Sequence, residues 1–161
     1  MMRAFLLAEA REWLQATLAG ARTDAGELWF DGVSTDTRSV GEGQLFVALR
    51  GERFDGHEFL GQALTQGAVA AVVDTEVTDV AIPQLVVSDT VQALADLASA
   101  NRSGSAARLV AITGSSGKTT VREMTGAILA GMGPTLVTEG NLNNHIGVPL
   151  TLFRLTPDHQ F

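Results

Sequence analysis

The chain of 161 residues contains no cysteine, so disulfide bonds and cysteine-ligated metal sites are excluded. It also lacks any apolar run long enough to cross a membrane. Charged residues, among them Glu9 and Arg11, interrupt the apolar N-terminal stretch before it reaches the length of a signal sequence. We therefore expect a cytoplasmic protein with no membrane insertion.

Basic residues are scarce, with 11 Lys and Arg against 18 Asp and Glu and a formal net charge of −7. The imbalance lies in residues 1–82, which carry 13 acidic and six basic residues, whereas residues 83–161 carry five of each. Because neither part carries a basic stripe, nucleic acid is not an expected partner. A phosphate group would have to be held by local geometry and not by the overall field.

One segment has the residue order of a phosphate-binding loop. The apolar run 109–112 predicts a strand, the Gly-rich segment 113–120 a turn, and the residues after it a helix. Glycines let backbone N–H groups approach phosphate oxygens, while Lys118 would neutralise phosphate charge and the Thr119 hydroxyl would hold Mg²⁺. Ile112 stands where the general G-x-x-x-x-G-K pattern has its first glycine, so the loop is shortened. An ordinary strand-to-helix turn with a surface lysine is the alternative.

The alternation of strand and helix patterns predicts an α/β fold in two units. Residues 1–82 would form a small α/β domain, and residues 83–161 the start of a mostly parallel-sheet domain with strands over 84–87, 109–112 and 135–138. The other predicted elements are a helix over 5–18, a strand over 45–49, a helix over 59–64, a strand over 68–73 and a helix capped by Ser88 or Asp89. Because a doubly wound domain needs more strand–helix units than the second part supplies, we expect a part of a longer chain.

Three further polar segments are candidates for ligand binding. Residues 34–39 combine hydroxyls, a carboxylate and an Arg, which suit a ribose, a uracil or a phosphate, although a self-bonded surface turn is the alternative. Residues 50–57 hold two glycines and His57, and Asp55 is equally suited to cap a helix. Residues 140–149 contain three Asn within four positions, which suits either phosphate contacts or a structural turn.

Together these segments resemble the Mur ligase family. Residues 112–120 are similar to the shortened phosphate loop of that family, and residues 34–51 with 55–57 resemble its UDP-binding N-terminal domain. The Asn-rich stretch 140–152 resembles the MurF branch. That branch joins D-alanyl-D-alanine to UDP-N-acetylmuramoyl-tripeptide in peptidoglycan precursor synthesis, which serves cell-wall biogenesis, cell shape and cell division.

The resemblance implies amide formation that depends on ATP and Mg²⁺, by an N-terminal portion of such a ligase. The peptide carboxylate attacks the γ-phosphate of ATP, and the amine of D-alanyl-D-alanine attacks the resulting acyl phosphate. The residues implied in catalysis are Lys118, Thr119 and Asn143, with Thr119 also on the metal. Those implied in nucleotide binding are Thr113, Gly114, Ser115, Ser116, Gly117, Lys118, Thr119 and Thr120. Those implied in substrate binding are Ser34, Thr35, Asp36, Arg38, Phe46, Asp55, Gly56, His57, Asn141, Asn143 and Asn144, with Phe46 as a packing surface for uracil.

Members of that family are considerably longer than this sequence. They carry a metal-binding Glu, a carbamylated Lys and a closing C-terminal domain beyond the point that corresponds to Phe161. We therefore expect that residues 1–161 alone do not catalyse ligation. Two alternatives stay open: a stand-alone module that binds a UDP-sugar or nucleotide without catalysis, and a general P-loop NTPase or kinase, which Ile112 disfavours.

Overall fold

The computed structural model describes residues 2–20, 25–52 and 54–161. Its strands are β1 (Phe5–Leu6), β2 (Thr17–Ala19), β3 (Trp29–Phe30), β4 (Gly32–Ser34), β5 (Gln44–Val47), β6 (Arg50–Gly51), β7 (Phe54–Asp55), β8 (Ala70–Val73) and β9 (Gln84–Val86). Its helices are α1 (Leu7–Leu14), α2 (Leu60–Thr65), α3 (Thr90–Ser103), α4 (Lys118–Ala130) and α5 (Gly147–Leu152), with short 3-10 helices at Ala25–Glu27 and Gly56–Phe59. In the described ranges every strand therefore precedes α3.

A five-stranded sheet in the order β2-β9-β8-β5-β4 forms the centre of the fold. Strands β4, β5, β8 and β9 run parallel to one another, while β2 pairs antiparallel with β9 at one edge. In the register, Leu45 faces Ala70 and Val72 faces Leu85. The parallel strands therefore share one carboxyl edge, which is where open α/β sheets bind ligands.

Alternate residues of each strand enter two separate cores, one on each face of the sheet. Leu45 and Val47 belong to the core that α1 and α3 cover, whereas Phe46 and Ala48 belong to the core that α2 covers. All four side chains are at least 99% buried. This double burial is typical of parallel sheets and explains the uninterrupted apolar run of the strand.

Helix α3 links the sheet to the residues that follow it. Its first turn is capped by Asp89, whose Oδ1 accepts the N–H groups of Val91 (2.8 Å) and Gln92 (3.0 Å). At its other end the buried Asn101 donates from Nδ2 to the Leu152 carbonyl of α5 at 2.9 Å. Since Phe153, next to α5, reaches the same core as α3, the C-terminal part of the chain is anchored on this helix.

Most of the predicted elements are confirmed. The helix expected over 5–18 is present but ends at Leu14, because Gln15 adopts a left-handed conformation with φ of 50°. The predicted strand over 84–87 is β9, which pairs with β8, so the sheet continues past residue 82. Among the described helices, none is both long and apolar enough to span a membrane.

The strands predicted over 109–112 and 135–138 are wrong in the described part of the chain. The hydrogen bonds there are isolated: Arg108 N–H donates to the Gln160 carbonyl (2.8 Å) and Leu136 N–H to the Phe161 carbonyl (2.9 Å). Leu109 is 68% exposed. A strand requires a continuous ladder with a neighbour, and single contacts do not form one.

The loop between β8 and β9 is closed by the side chain of Gln84, which is fully buried. Its Oε1 accepts Val77 N–H at 2.9 Å, and its Nε2 donates to the Val77 carbonyl at 2.7 Å. We predict that Gln84→Ala lowers the free energy of unfolding by about 1–3 kcal/mol, because it leaves backbone groups of Val77 without partners. The midpoint of urea unfolding, at constant m-value, measures the loss.

The matched control is Gln92→Ala, which removes an amide bonded to Asp96 on the exposed surface of α3. Its midpoint is expected to stay close to that of the unchanged chain, since exposed side-chain bonds compete with water. Equal midpoints for the two variants would contradict the role of Gln84.

Candidate functional site

The phosphate-type loop enters α4 through two glycines in left-handed conformations. Gly114 has φ of 152° and Gly117, the residue before the helix, has φ of 75°. Nothing lies within 4 Å of the position that a Cβ would take at Gly117, so the backbone conformation, and not space, favours glycine there. The loop and the first turn of α4 are exposed, which leaves their N–H groups accessible to a ligand.

Lys118 is the first residue of α4, and its ammonium group folds back over the loop. Its Nζ donates to the Gly114 carbonyl at 2.5 Å. The same ammonium can pair with a phosphate held by the loop, since an exposed cation exchanges partners at little cost. Lys118 is the only lysine in the sequence.

Next to Lys118, Thr119 offers a hydroxyl at the position where phosphate loops bind Mg²⁺. In the described ranges no group of three or more acidic or His side chains is arranged to hold a metal ion by itself. The residues present therefore fit an ion held chiefly by nucleotide phosphates and water, with one protein oxygen from Thr119, and this arrangement is usual for Mg²⁺.

A groove of about 410 Å³ opens beside the loop. The segment 109–112 forms one wall and Leu136–Thr138 another, and Lys118, Thr119 and Asn143 border it. Among the residues that the structure describes, no Asp or Glu side chain lines this groove. The three residues predicted to be catalytic thus border the same groove, whose lining is mainly apolar.

The Asn-rich segment is tied to α4 by Arg122, whose Nη1 donates to the Gly140 carbonyl at 2.8 Å. Asn144 acts as a cap: its Oδ1 accepts the N–H of Gly147 at 2.7 Å. Asn141 accepts the N–H of Asn143 through its own carbonyl at 2.7 Å. Of the three Asn residues predicted to bind substrate, Asn143 is the one on the groove, while the Asn144 oxygen is already engaged within the fold.

The turn that follows β4 is internally bonded. The Ser34 hydroxyl donates to the Asp36 carbonyl at 3.0 Å, and Arg38 binds the Asp36 carboxylate through Nε (2.9 Å) and Nη2 (2.5 Å). The hydrogen bonds from the side chain and the backbone N–H of Arg38 lower the pKa of Asp36 from 3.8 to about 2. The Arg38 side chain is 85% exposed, so the pair presents an accessible cation next to the half-buried Thr35.

The segment Asp55–His57 lies at the carboxyl edge of the sheet. Gly56 is packed so closely that a Cβ there would lie 2.9 Å from the backbone of Leu49, whose carbonyl accepts the Gly56 N–H at 2.8 Å. Asp55 caps the following 3-10 helix by accepting the His57 N–H at 2.9 Å. Burial opposes ionisation of Asp55, yet the hydrogen bonds and charge of His57, with the charge of Arg50, lower its pKa overall. Arg53, in the same segment, lies outside the described residues.

Phe46 was expected to offer a packing surface for uracil, and this expectation is wrong. The ring is 1% exposed and packs in the core that α2 covers, with Leu60 and Ala63. The side chain points away from the solvent because the strand alternates between two buried faces. No surface of the ring is left for a ligand.

Two residues at these sites were missed by the sequence analysis. Asp74 directly follows β8, the neighbour of β5 in the sheet, and binds Arg50 at 3.1 Å. A search for polar residues at the ends of neighbouring parallel strands would have found it. Arg122 was missed because its contact, the Gly140 carbonyl, is 18 positions away along the chain.

Comparison with known proteins identifies relatives for both parts of the chain. Residues 30–102 match the profile described as "Mur ligase family, catalytic domain", and residues 112–161 match "Mur ligase middle domain". The UDP-N-acetylmuramoyl-tripeptide–D-alanyl-D-alanine ligase of Escherichia coli (strain K12) is 50% identical over 155 residues, which are 96% of this chain and 33% of that protein. The ligase of the same name from Bacillus subtilis (strain 168) is 40% identical over 89% of this chain and 32% of that protein.

Solved structures of similar proteins agree with this result. MurF from Acinetobacter baumannii superposes with a TM-score of 0.88 and 39% identity, over 99% of this chain and 34% of that one. MurF ligase from Thermotoga maritima in complex with ADP has a TM-score of 0.69 and 34% identity, over 76% of this chain and 28% of that one. The chain thus spans about a third of the length of the relatives it matches.

The Asp36–Arg38 pair generates a prediction about proton binding. In Arg38→Ala the pKa of Asp36 should rise from about 2 part of the way to 3.8, because the backbone N–H of residue 38 still donates to the carboxylate. Since the folded-state pKa is depressed, the pair stabilises the fold above pH 3.8 and loses this effect as the pH falls through about 2. Carboxyl ¹³C NMR titration of Asp36 measures the shift.

The control is Arg11→Ala, which removes a similarly exposed guanidinium on α1 and should leave the titration of Asp36 unchanged. The stabilising effect is small at any pH, because the Asp36 side chain is 41% exposed and solvent screens the pair. An Asp36 titration that is the same in Arg38→Ala and in the unchanged chain would show that the pair does not set this pKa.

Proposed function

The chain belongs to the Mur ligase family, and we propose that it is the N-terminal portion of an ATP-dependent ligase that adds D-alanyl-D-alanine to UDP-N-acetylmuramoyl-tripeptide. Its relatives of that name match nearly the whole chain. The observation that carries the proposal is the groove beside α4, on which Lys118, Thr119 and Asn143 converge. The route through an acyl phosphate is part of the proposal.

At the nucleotide end, residues 113–120 would hold the phosphates through their backbone N–H groups. Lys118 would exchange its contact with the Gly114 carbonyl for one with the terminal phosphate. Mg²⁺, when bound with ATP, supplies positive charge at the transferring phosphoryl group. Thr119 would hold that ion, and Asn143, which borders the same groove, would orient the reacting carboxylate. The relative bound to ADP supports a nucleotide at this end.

At the substrate end, the carboxyl edge of the sheet would bind the UDP portion. Arg38 offers an exposed guanidinium for a diphosphate, and Ser34 and Thr35 lie in the same turn. Gly56 lets the backbone of its segment lie close to β5, at the same edge. Asn141, Asn143 and Asn144 would complete the site toward the peptide, with Asn144 acting chiefly as a cap.

We propose a substrate-binding unit followed by the first part of an ATP-binding unit. The sequence predicts the division after residue 82. The pairing of β9 with β8 and the packing of α3 on the sheet support a division after α3 instead. The matched profiles, which end at residue 102 and resume at residue 112, agree with the later position.

The first prediction concerns the UDP compound. UDP-N-acetylmuramoyl-tripeptide should raise the melting temperature of the 161-residue chain, because a ligand that binds only the folded state stabilises it. Arg38→Ala should abolish most of the shift, since it removes the accessible cation of the turn. Differential scanning fluorimetry over a range of ligand concentrations measures both, and Arg11→Ala, with the same loss of charge, serves as the control.

A shift in melting temperature that persists in Arg38→Ala, or that is lost equally in Arg11→Ala, would exclude Arg38 from the site. The absence of any shift in the unchanged chain would contradict a UDP site in this part of the protein. A shift with the UDP compound but none with Mg-ATP would favour the alternative of a binding module without nucleotide chemistry.

The second prediction concerns Lys118. Because the sequence has no other lysine, an amine-reactive acylating reagent labels Lys118 and the N-terminus alone, and peptide mass spectrometry separates the two. Mg-ATP should protect Lys118 and leave the N-terminus reactive. Lys118→Ala should weaken Mg-ATP binding by roughly 10- to 100-fold, the usual loss for a hydrogen bond to a charged group, and Lys118→Arg by less. Equal labelling of Lys118 with and without Mg-ATP would contradict the proposed nucleotide site.

A further inference from the structure

Four polar side chains meet at the carboxyl edge of the sheet, where β5 and its neighbour β8 end. Arg50 follows β5, Asp74 follows β8, and Asp55 and His57 belong to the segment between these strands. The contacts among them join three separate parts of the chain. Neither Arg50 nor Asp74 has a role in the function proposed above.

The imidazole of His57 is enclosed in this group, with 7% of the side chain exposed. Its Nδ1 lies 2.6 Å from Asp55 Oδ1, and its Nε2 accepts the backbone N–H of Asp74 at 3.2 Å. The ring therefore links the Asp55 carboxylate to the backbone of Asp74. Both ring nitrogens are therefore used inside the protein.

Arg50 holds the two carboxylates of the group. Its Nε lies 3.1 Å from Asp55 Oδ2, and its Nη2 lies 3.1 Å from Asp74 Oδ1. The second contact lies beside the ring, because Asp74 Oδ1 is 3.3 Å from His57 Nε2. The guanidinium thus joins the two carboxylates that flank the imidazole.

The same contacts fix the position of the backbone. Arg50 and Asp55 are directly opposite each other in the β6–β7 hairpin, and Gly56 is packed against Leu49 with no room for a Cβ. A movement of Arg50 or His57 would therefore also shift Leu49 and Gly56. These residues include the part of the sheet edge that the proposed function assigns to the UDP portion.

We propose that Arg50 and Asp74 are positioning residues of the substrate-binding end, which hold residues 50–52 and 54–57 in place for the UDP-linked substrate. The inference rests on the proposed function, because it concerns the affinity of that same site. In this arrangement the ring of His57 supports the site from within, and the ligand contacts fall to backbone groups and to Arg38.

The position of the ring is measured first, by the ¹H and ¹³C NMR signals of the His57 imidazole in the 161-residue chain at neutral pH. In Arg50→Ala the two carboxylates lose their shared cation, so we expect these signals to shift. Arg50→Lys, which retains the positive charge, should shift them less. Ring signals in folded Arg50→Ala that coincide with those of the unchanged chain would contradict the positioning role.

Affinity is measured next, by isothermal titration calorimetry with UDP as the probe. Arg50→Ala should weaken UDP binding by roughly tenfold, the effect of losing one well-placed charged contact. Arg50→Lys should recover part of the loss. The matched control is Arg154→Ala, which removes a guanidinium of similar exposure that pairs with Glu139, and this variant should bind UDP like the unchanged chain.

The outcomes separate the two proposals. Binding of UDP by the unchanged chain with the same affinity in Arg50→Ala would overturn the positioning role and leave the proposed function intact. No binding of UDP by the unchanged chain would contradict the proposed function, and the positioning role with it.

Discussion

The burial of the parallel sheet on both faces is the constraint on which the rest of the structure depends. Leu45 and Phe46 are adjacent in the sequence, yet they enter different cores, so a shift of β5 by one residue would exchange the two. The register is therefore fixed by packing. The same packing fixes the edge at which the strands end. This edge brings Ser34, Arg50 and Asp74 together from three separate strands.

The phosphate-type loop depends on this sheet indirectly. Its own residues are exposed and contribute little buried surface, so its position relies on the elements around it. Helix α3 provides the link, because it packs on the sheet with one face and holds α5 through Asn101. The Asn-rich segment, in turn, is connected to α5 through the Asn144 cap and to α4 through Arg122. An exposed loop on a buried support is a common arrangement for residues that bind a ligand.

The parts of the fold that could be predicted are those determined by neighbours in sequence. The start of α3 at Asp89 and the glycine-rich entry to α4 follow from local backbone chemistry, and both are confirmed. Phe46 was misjudged because a continuous apolar run does not reveal which of its residues faces a surface. The strands over 109–112 and 135–138 were misjudged because a ladder depends on distant partners. Asp74 was missed for the same reason, since only the strand order places it beside His57.

The groove between segments 109–112 and 135–138 also has a consequence for the behaviour of the chain in solution. Exposed apolar side chains such as Leu109 and Val110, beside backbone that lies outside any described strand, form a surface to which another chain segment can attach. The net charge of −7 opposes such association, but it lies in residues 1–82, and the part that carries the groove is neutral. The side chains that favour association and the charge that opposes it therefore lie in different parts of these 161 residues.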